Sequence, residues 1–323
     1  MPLGIEFESD EFPATGKVAN GSSVLPVDWS ELLWAALTVG RPNTSFVFQH
    51  GESSFYEALF RLSLIRSVVE QSGPRSSRYH RTSASSALDP TEKGATNYFL
   101  GMTVAKLFAD KLLEAPWALH FDIFRRRLGA QLGGRSRPDL LAQTNAGDWI
   151  ALECKGRASQ PNETSKKSAK DQAARVIAVQ GKQPLYAIGA ITFFKNETLH
   201  FFWRDPSPGD TTAAKLKIDV LPDDWQYYYR LIFEIVNQRG SEALQTDSPI
   251  VAQLDEADLA VGLHPLVLKR LRASDWQGAV DAGRQVGRVG EYRGDGIVLR
   301  AGPAWTRRRN PPIAGTPMPD VST

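Results

Sequence analysis

Arg137-Pro138-Asp139-Leu140-Leu141-Ala142 and, after a short gap, Trp149-Ile150-Ala151-Leu152-Glu153-Cys154-Lys155-Gly156 are the stretches that decide how this chain is read. Side chains alternate faces along a strand, so Glu153 and Lys155 share one face, while Ile150, Leu152 and Cys154 share the other. Between the two stretches, Asn145-Ala146-Gly147-Asp148 has the composition of a hairpin turn, which returns residues 149–155 beside residues 139–143. The register is not fixed by the sequence, but such a pair gathers two carboxylates and an ammonium at one end. Hard oxygen ligands with room left for water suit Mg²⁺ or Mn²⁺. A lysine beside them would position an attacking water or offset charge developing on a phosphate. The plainer alternative makes Asp139 a turn residue and leaves Glu153 and Lys155 as an exposed edge pair.

Outward from this hairpin the pattern is orderly. Asp89 caps a helix with Pro90 in its first turn, apolar positions run from Tyr98 through Leu112, and Pro116 stops it. Strands are expected over 117–124, 139–143 and 149–155, a helix over 163–180 closed by Gly181, strands over 184–194 and 198–203, and a helix over 223–237. Upstream, residues 1–27 read as irregular, helices are expected from Asp28 and over 54–70, and the Ser- and Arg-rich residues 72–86 read as a loop. Downstream, short helices over 252–259 and 265–273 and a strand over 296–300 precede a proline-rich tail. The expected organisation is a mainly helical N-terminal region (1–85), a core (86–240), a small C-terminal region (241–301) and a flexible tail (302–323).

A Pro-Asp opening one strand and a Glu-x-Lys ending the next, in the order helix, strands, helix, strand, resembles the PD-(D/E)xK nuclease superfamily. The resemblance covers about residues 89–203. It implies an α/β fold with a restriction-endonuclease-like core, a mixed central sheet flanked by helices, that hydrolyses phosphodiesters with Mg²⁺ or Mn²⁺. By that pattern Asp139 and Glu153 hold the metal, the main-chain carbonyl of Cys154 adds a ligand, and Lys155 is the catalytic lysine. The superfamily often draws a glutamate from the preceding helix; Glu92 is the candidate, with Asp110 and Glu114 behind it. On the following helix Gln172 is the candidate for a residue reaching the site, with Lys170 second.

Composition sets the outer limits. The chain has 323 residues, 42% hydrophobic and 23% charged, with a net charge of +2, enough to bury a core without staples. One cysteine, Cys154, excludes a disulfide framework and a cysteine-built zinc site. His50, His80, His120, His200 and His264 have no zinc-ligand spacing. No run of about eighteen apolar residues is present, so no membrane partner is expected. The acidic opening, without a basic and an apolar region, points to the cytoplasm.

Charge is uneven. Arg125, Arg126, Arg127, Arg135 and Arg137 form a stretch without acids, Lys166 and Lys170 share a helix face, and from Lys269 to Arg309 ten bases stand against four acids. These are the candidate phosphate contacts, with DNA preferred over RNA as the partner. A chain with both acids and the lysine is expected to cut. The alternative is an inactive module of the same fold that holds nucleic acid or a protein. A place as one subunit of a restriction or defence system, and a homodimer, remain open.

Overall fold

Two strands open the chain where irregular structure was expected: β1 (Leu3–Asp10) and β2 (Gly21–Val27). The computed structural model describes residues 2–40, 53–71, 77–129, 137–205, 215–241 and 248–306. After β2 come α1 (Trp29–Thr38), capped by Asp28 as expected, then α2 (Ser53–Val68), β3 (Val69–Gln71), β4 (Tyr79–Arg81) and α3 (Ser83–Ala87). The long helix α4 (Pro90–Leu113) leads to β5 (Trp117–His120), a 3-10 turn over Phe121–Phe124, and the single turn α5 (Arg125–Leu128). The hairpin follows as β6 (Leu140–Gln143) and β7 (Trp149–Arg157). Then come α6 (Glu163–Ala173), β8 (Val176–Val179), β9 (Tyr186–Lys195), β10 (Thr198–Arg204), β11 (Leu216–Ile218) and α7 (Gln226–Arg239). The C-terminal lobe holds β12 (Ile250–Leu254), β13 (Leu259–Leu263), α8 (Pro265–Arg272), α9 (Trp276–Val286), β14 (Ile297–Ala301) and α10 (Pro303–Thr306).

The fold is mixed α/β. Its nine-stranded sheet runs β2-β1-β10-β9-β7-β6-β5, with β3 and β4 attached beside β10. β1 is parallel to β10 and β7 is parallel to β9, while the remaining pairs are antiparallel. Helices cover both faces, and two glycines on the central strands set how closely. A side chain on Gly156 would collide with the Asn97 carbonyl of α4, 1.7 Å from its Cβ, and one on Gly189 would meet the Lys170 nitrogen of α6 at 2.5 Å. Gly156 shares the face of Cys154, and Gly189, paired with Glu153, shares the face of Glu153. Thus α4 packs on the apolar face of β7 and α6 on the face that carries Glu153 and Lys155.

Several elements differ from expectation. The helix expected to reach residue 180 stops at Ala173, because Val176 and Val179 are buried in β8, which pairs with the distant β11. The helix expected over 252–259 is instead β12, a 3-10 turn and the start of β13. Asp258 makes that turn with φ of 48° and lets the chain fold back as a hairpin. The strand expected over 117–124 ends at His120, whose ring accepts the Asp122 amide and so tightens the chain into a 3-10 turn. The expected loop over 72–86 contributes β4 and α3. Residues 307–323 of the expected tail lie outside the described residues.

One apolar core joins Leu3 to Trp305, so the expected regions do not have separate cores. The C-terminal lobe is tied in by a buried polar cluster. Asp295 is fully buried and accepts from Trp34 Nε1 at 2.9 Å, from the Tyr228 hydroxyl and from the Ile297 amide at 3.0 Å. Beside it the Lys106 ammonium bonds Thr38 and Tyr228, and stands 3.6 Å from the Trp34 ring centroid. Burial holds its pKa down to about 7. Asp295→Ala would strand the Trp34 and Ile297 donors, leave the Tyr228 hydroxyl with the Pro116 carbonyl alone, and remove an acid beside Lys106. A loss of about 3–5 kcal/mol of unfolding free energy is expected in denaturant titration, and a loss under about 1 kcal/mol would show that the cluster does not hold the lobe.

Candidate active site

Register is what the sequence could not supply, and it brings the two acids together. Leu140 of β6 pairs with Leu152 of β7 as the last rung of the antiparallel ladder, and Asp139, just outside it, brings its carboxyl beside that of Glu153. The Asp139 amide donates to the Leu152 carbonyl at 2.9 Å, and its carbonyl accepts from the Phe121 amide at 2.7 Å, fixing the backbone on both sides. The Asp139 carboxylate is held at both oxygens: Oδ2 accepts from the Cys154 amide at 2.8 Å and Oδ1 from the Tyr98 hydroxyl at 2.9 Å. Lys155 Nζ donates to Glu153 Oε1 at 2.7 Å, with the lysine side chain 25% exposed and the glutamate side chain 5%.

Electrostatically this is an unbalanced site. Glu153 Oε2 is buried with no hydrogen-bond donor among the described residues, so either a proton held by Glu153 or a cation must separate it from the Asp139 carboxylate. Burial, and then the charge of Asp139, push the Glu153 carboxyl up to about 8 against the pull of Lys155. Burial raises Asp139 as well, partly offset by the hydrogen bonds from Cys154 and Tyr98. Two acids in a desolvated place with one ammonium between them are short of positive charge.

That deficit, and the orphaned Oε2, fit a small divalent cation. Backbone amide and carbonyl of one strand residue face the same neighbour. The Cys154 carbonyl therefore faces the edge where its amide meets Asp139, past the last rung of β6. Among the described residues no three His, Cys, Asp or Glu side chains gather as a metal site. The chain would thus supply two carboxylates and one carbonyl, leaving the other positions to water and substrate, which suits Mg²⁺.

The other candidates are engaged elsewhere. Glu92 is exposed and reaches back to the Asp89 amide in a capping box. Asp110 is buried against Arg288, and Glu114 pairs with Lys17 at 2.7 Å. None joins Asp139 and Glu153. Gln172 bonds Ser168 along its own helix at 3.1 Å. The basic candidates are largely neutralised within the chain: Arg127 by Asp224 at 2.6 Å, Arg137 by Asp122 at 2.7 Å, Lys166 by Glu163 at 2.9 Å and Lys170 by Glu11 at 2.6 Å. Arg125 and Arg126 are exposed, while Arg135 lies outside the described residues. In the C-terminal lobe, Arg270, Arg284, Arg288 and Arg300 also pair with acids.

Sequence reading missed Tyr98, counted as an apolar position of α4 although 40% exposed, and His120 behind it. No spacing marks either; a tyrosine out of phase with the buried face of α4 is the only signal. No helix among the described residues is long and apolar enough to cross a membrane. No protein-family model, curated protein or solved structure matches the chain.

Proposed function

We propose that this chain is a metal-dependent nuclease of the PD-(D/E)xK type, cutting phosphodiester bonds in DNA. The observation that carries the reading is the opposed Asp139–Glu153 pair, with its orphaned oxygen and Lys155 beside it. The order of elements supports it: α4, the antiparallel β5-β6-β7, α6 on the face of Glu153 and Lys155, then β9 parallel to β7. Asp139 and Glu153, with the Cys154 carbonyl, would hold the cation. When bound, that cation offsets phosphate charge and lowers the pKa of a coordinated water. Lys155 has a part-exposed ammonium, which steadies Glu153 and offers hydrogen bonds to a phosphate oxygen or to the attacking water. The water oxygen bonds to phosphorus, the ester oxygen leaves, and the proton released by the water ends on bulk solvent or the departing oxygen.

The test is incubation of the purified chain with supercoiled, linear and single-stranded DNA, and with RNA, in Mg²⁺, Mn²⁺ or EDTA. Nicking or linearisation with metal and none in EDTA is expected. Cleavage that persists in EDTA, or intact substrates in every arm, overturns the reading. One observation favours a second reading, an inactive module of this fold that holds a protein partner: four of the expected phosphate contacts are already paired with acids. DNA neither retained nor cleaved in Mg²⁺ and Mn²⁺ is its signature.

A further inference from the structure

Behind Asp139 lies a line of hydrogen bonds with a fixed direction. His120 ends β5 and is 5% exposed. Its Nδ1 accepts from the Asp122 amide at 3.2 Å, so the neutral ring carries its proton on Nε2. Nε2 lies 3.4 Å from the Tyr98 hydroxyl oxygen. The hydroxyl, receiving from the ring, has its own proton free for Asp139 Oδ1 at 2.9 Å. Burial holds the His120 pKa down to about 4, which keeps the ring in this neutral form. Without Tyr98, the Asp139 carboxylate would lose the donor on Oδ1 and keep the Cys154 amide on Oδ2, about which it could pivot.

We propose that Tyr98, oriented by His120, is a positioning residue that locks the Asp139 carboxylate in the one orientation from which it binds the cation. This rests on the metal reading above. Each carboxylate oxygen has two lone-pair directions. One on each is taken by Tyr98 or Cys154, and the remaining ones are aimed by that constraint. The tyrosine ring sits at the surface, so loss of its hydroxyl leaves the packing of α4 unchanged and isolates the orienting bond.

The experiment is calorimetric titration of the full chain with Mn²⁺ alone, for the parent, Tyr98→Phe, His120→Asn and the double variant. Asparagine at 120 keeps an acceptor for the Asp122 amide but removes the group facing Tyr98. Loss of such an outer partner weakens metal binding by roughly 10–100-fold. Tyr98→Phe should fall near the lower end, His120→Asn should lose somewhat less, and the double variant should match Tyr98→Phe, because the histidine acts only through the hydroxyl. Melting temperatures for Tyr98→Phe should stay at the parent value, and in cleavage assays its Mg²⁺ requirement should rise while turnover recovers at saturating Mg²⁺. Parent-like Mn²⁺ affinity in Tyr98→Phe overturns the proposal. A double variant whose loss is the product of the two single losses removes His120 from it. If His120→Asn does not fold, Tyr98→Phe decides alone. A parent that binds no Mn²⁺ defeats the metal reading itself, an outcome distinct from a parent that binds and a Tyr98→Phe variant that binds equally well.

Discussion

Asp139→Asn and Glu153→Gln should each end cleavage, lowering turnover by about a thousandfold or more, while leaving the fold intact. A bound cation is worth several kcal/mol of transition-state charge stabilisation, and each 1.36 kcal/mol is about tenfold in rate. Either substitution halves the carboxylate set that would hold it. Neither should destabilise the chain strongly at neutral pH, because burial and Asp139 already oppose ionisation of Glu153, and asparagine in place of Asp139 keeps an oxygen for the Cys154 amide. Affinity for DNA should survive or rise, since a negative charge leaves an anion-binding site. Lys155→Ala should also stop turnover but keep Mn²⁺ binding, because an ammonium is not a ligand. Cleavage rates on supercoiled DNA and calorimetric Mn²⁺ affinities check the set. Parent-like cleavage by Asp139→Asn and Glu153→Gln ends the nuclease reading.

The hairpin was legible because its signals are local. Strand alternation separates Glu153 and Lys155 from Cys154, and the Asn-Ala-Gly-Asp turn joins two short apolar runs. What alternation cannot give is the rung, and a shift of one residue would have sent Asp139 to the opposite face from Glu153. Leu140 facing Leu152 fixes the last rung, and Asp139, just outside it, turns its carboxylate to the Cys154 amide. β1 also carries a period-two pattern, with Ile5 buried and Phe7 packed against Phe108 of α4. It pairs with β2 across a ten-residue connection without a two-residue turn signal, and its other partner, β10, lies about 190 residues away. β8 and β11 hide each other in the same way.

Charge misled for a related reason. Counting arginines within a window treats them as free, yet Arg127 finds Asp224, Lys170 finds Glu11 and Arg288 finds Asp110. Each of these acids is far along the chain from its base, so the apparent basic stretches are largely cancelled by folding. The helix acid was ambiguous from the start, since Glu92 served equally as a helix-end charge, and it does serve as one. Tyr98 went unnoticed because a helical tyrosine among apolar residues reads as core. Its role depends on where the β6 strand begins, which only the assembled sheet determines.

In EDTA, the unfolding free energy of the parent relative to that of Glu153→Gln should fall as pH rises from about 5 to 8. In the unfolded chain a glutamate titrates near about 4.3, while burial and Asp139 push Glu153 up to about 8 in the folded one. Between those values the folded chain holds a proton that the unfolded chain has released. The contribution of Glu153 is therefore full below the unfolded value and is lost as pH climbs through the folded one. The expected loss is on the order of 3 kcal/mol across that window. His120, Asp205 and Lys106 also titrate at displaced values, but they are common to both proteins and cancel in the difference. Mg²⁺ or Mn²⁺ competes with the proton for the same oxygens, so either cation should raise the parent's melting temperature at pH 8, do little at pH 5, and leave Glu153→Gln nearly unmoved. The measurement is thermal and urea unfolding at several pH values with and without cation. A parent-minus-variant difference that stays flat from pH 5 to 8 would show that Glu153 is not the strained acid, and equal stabilisation of both proteins by Mn²⁺ would put the cation somewhere other than between β6 and β7.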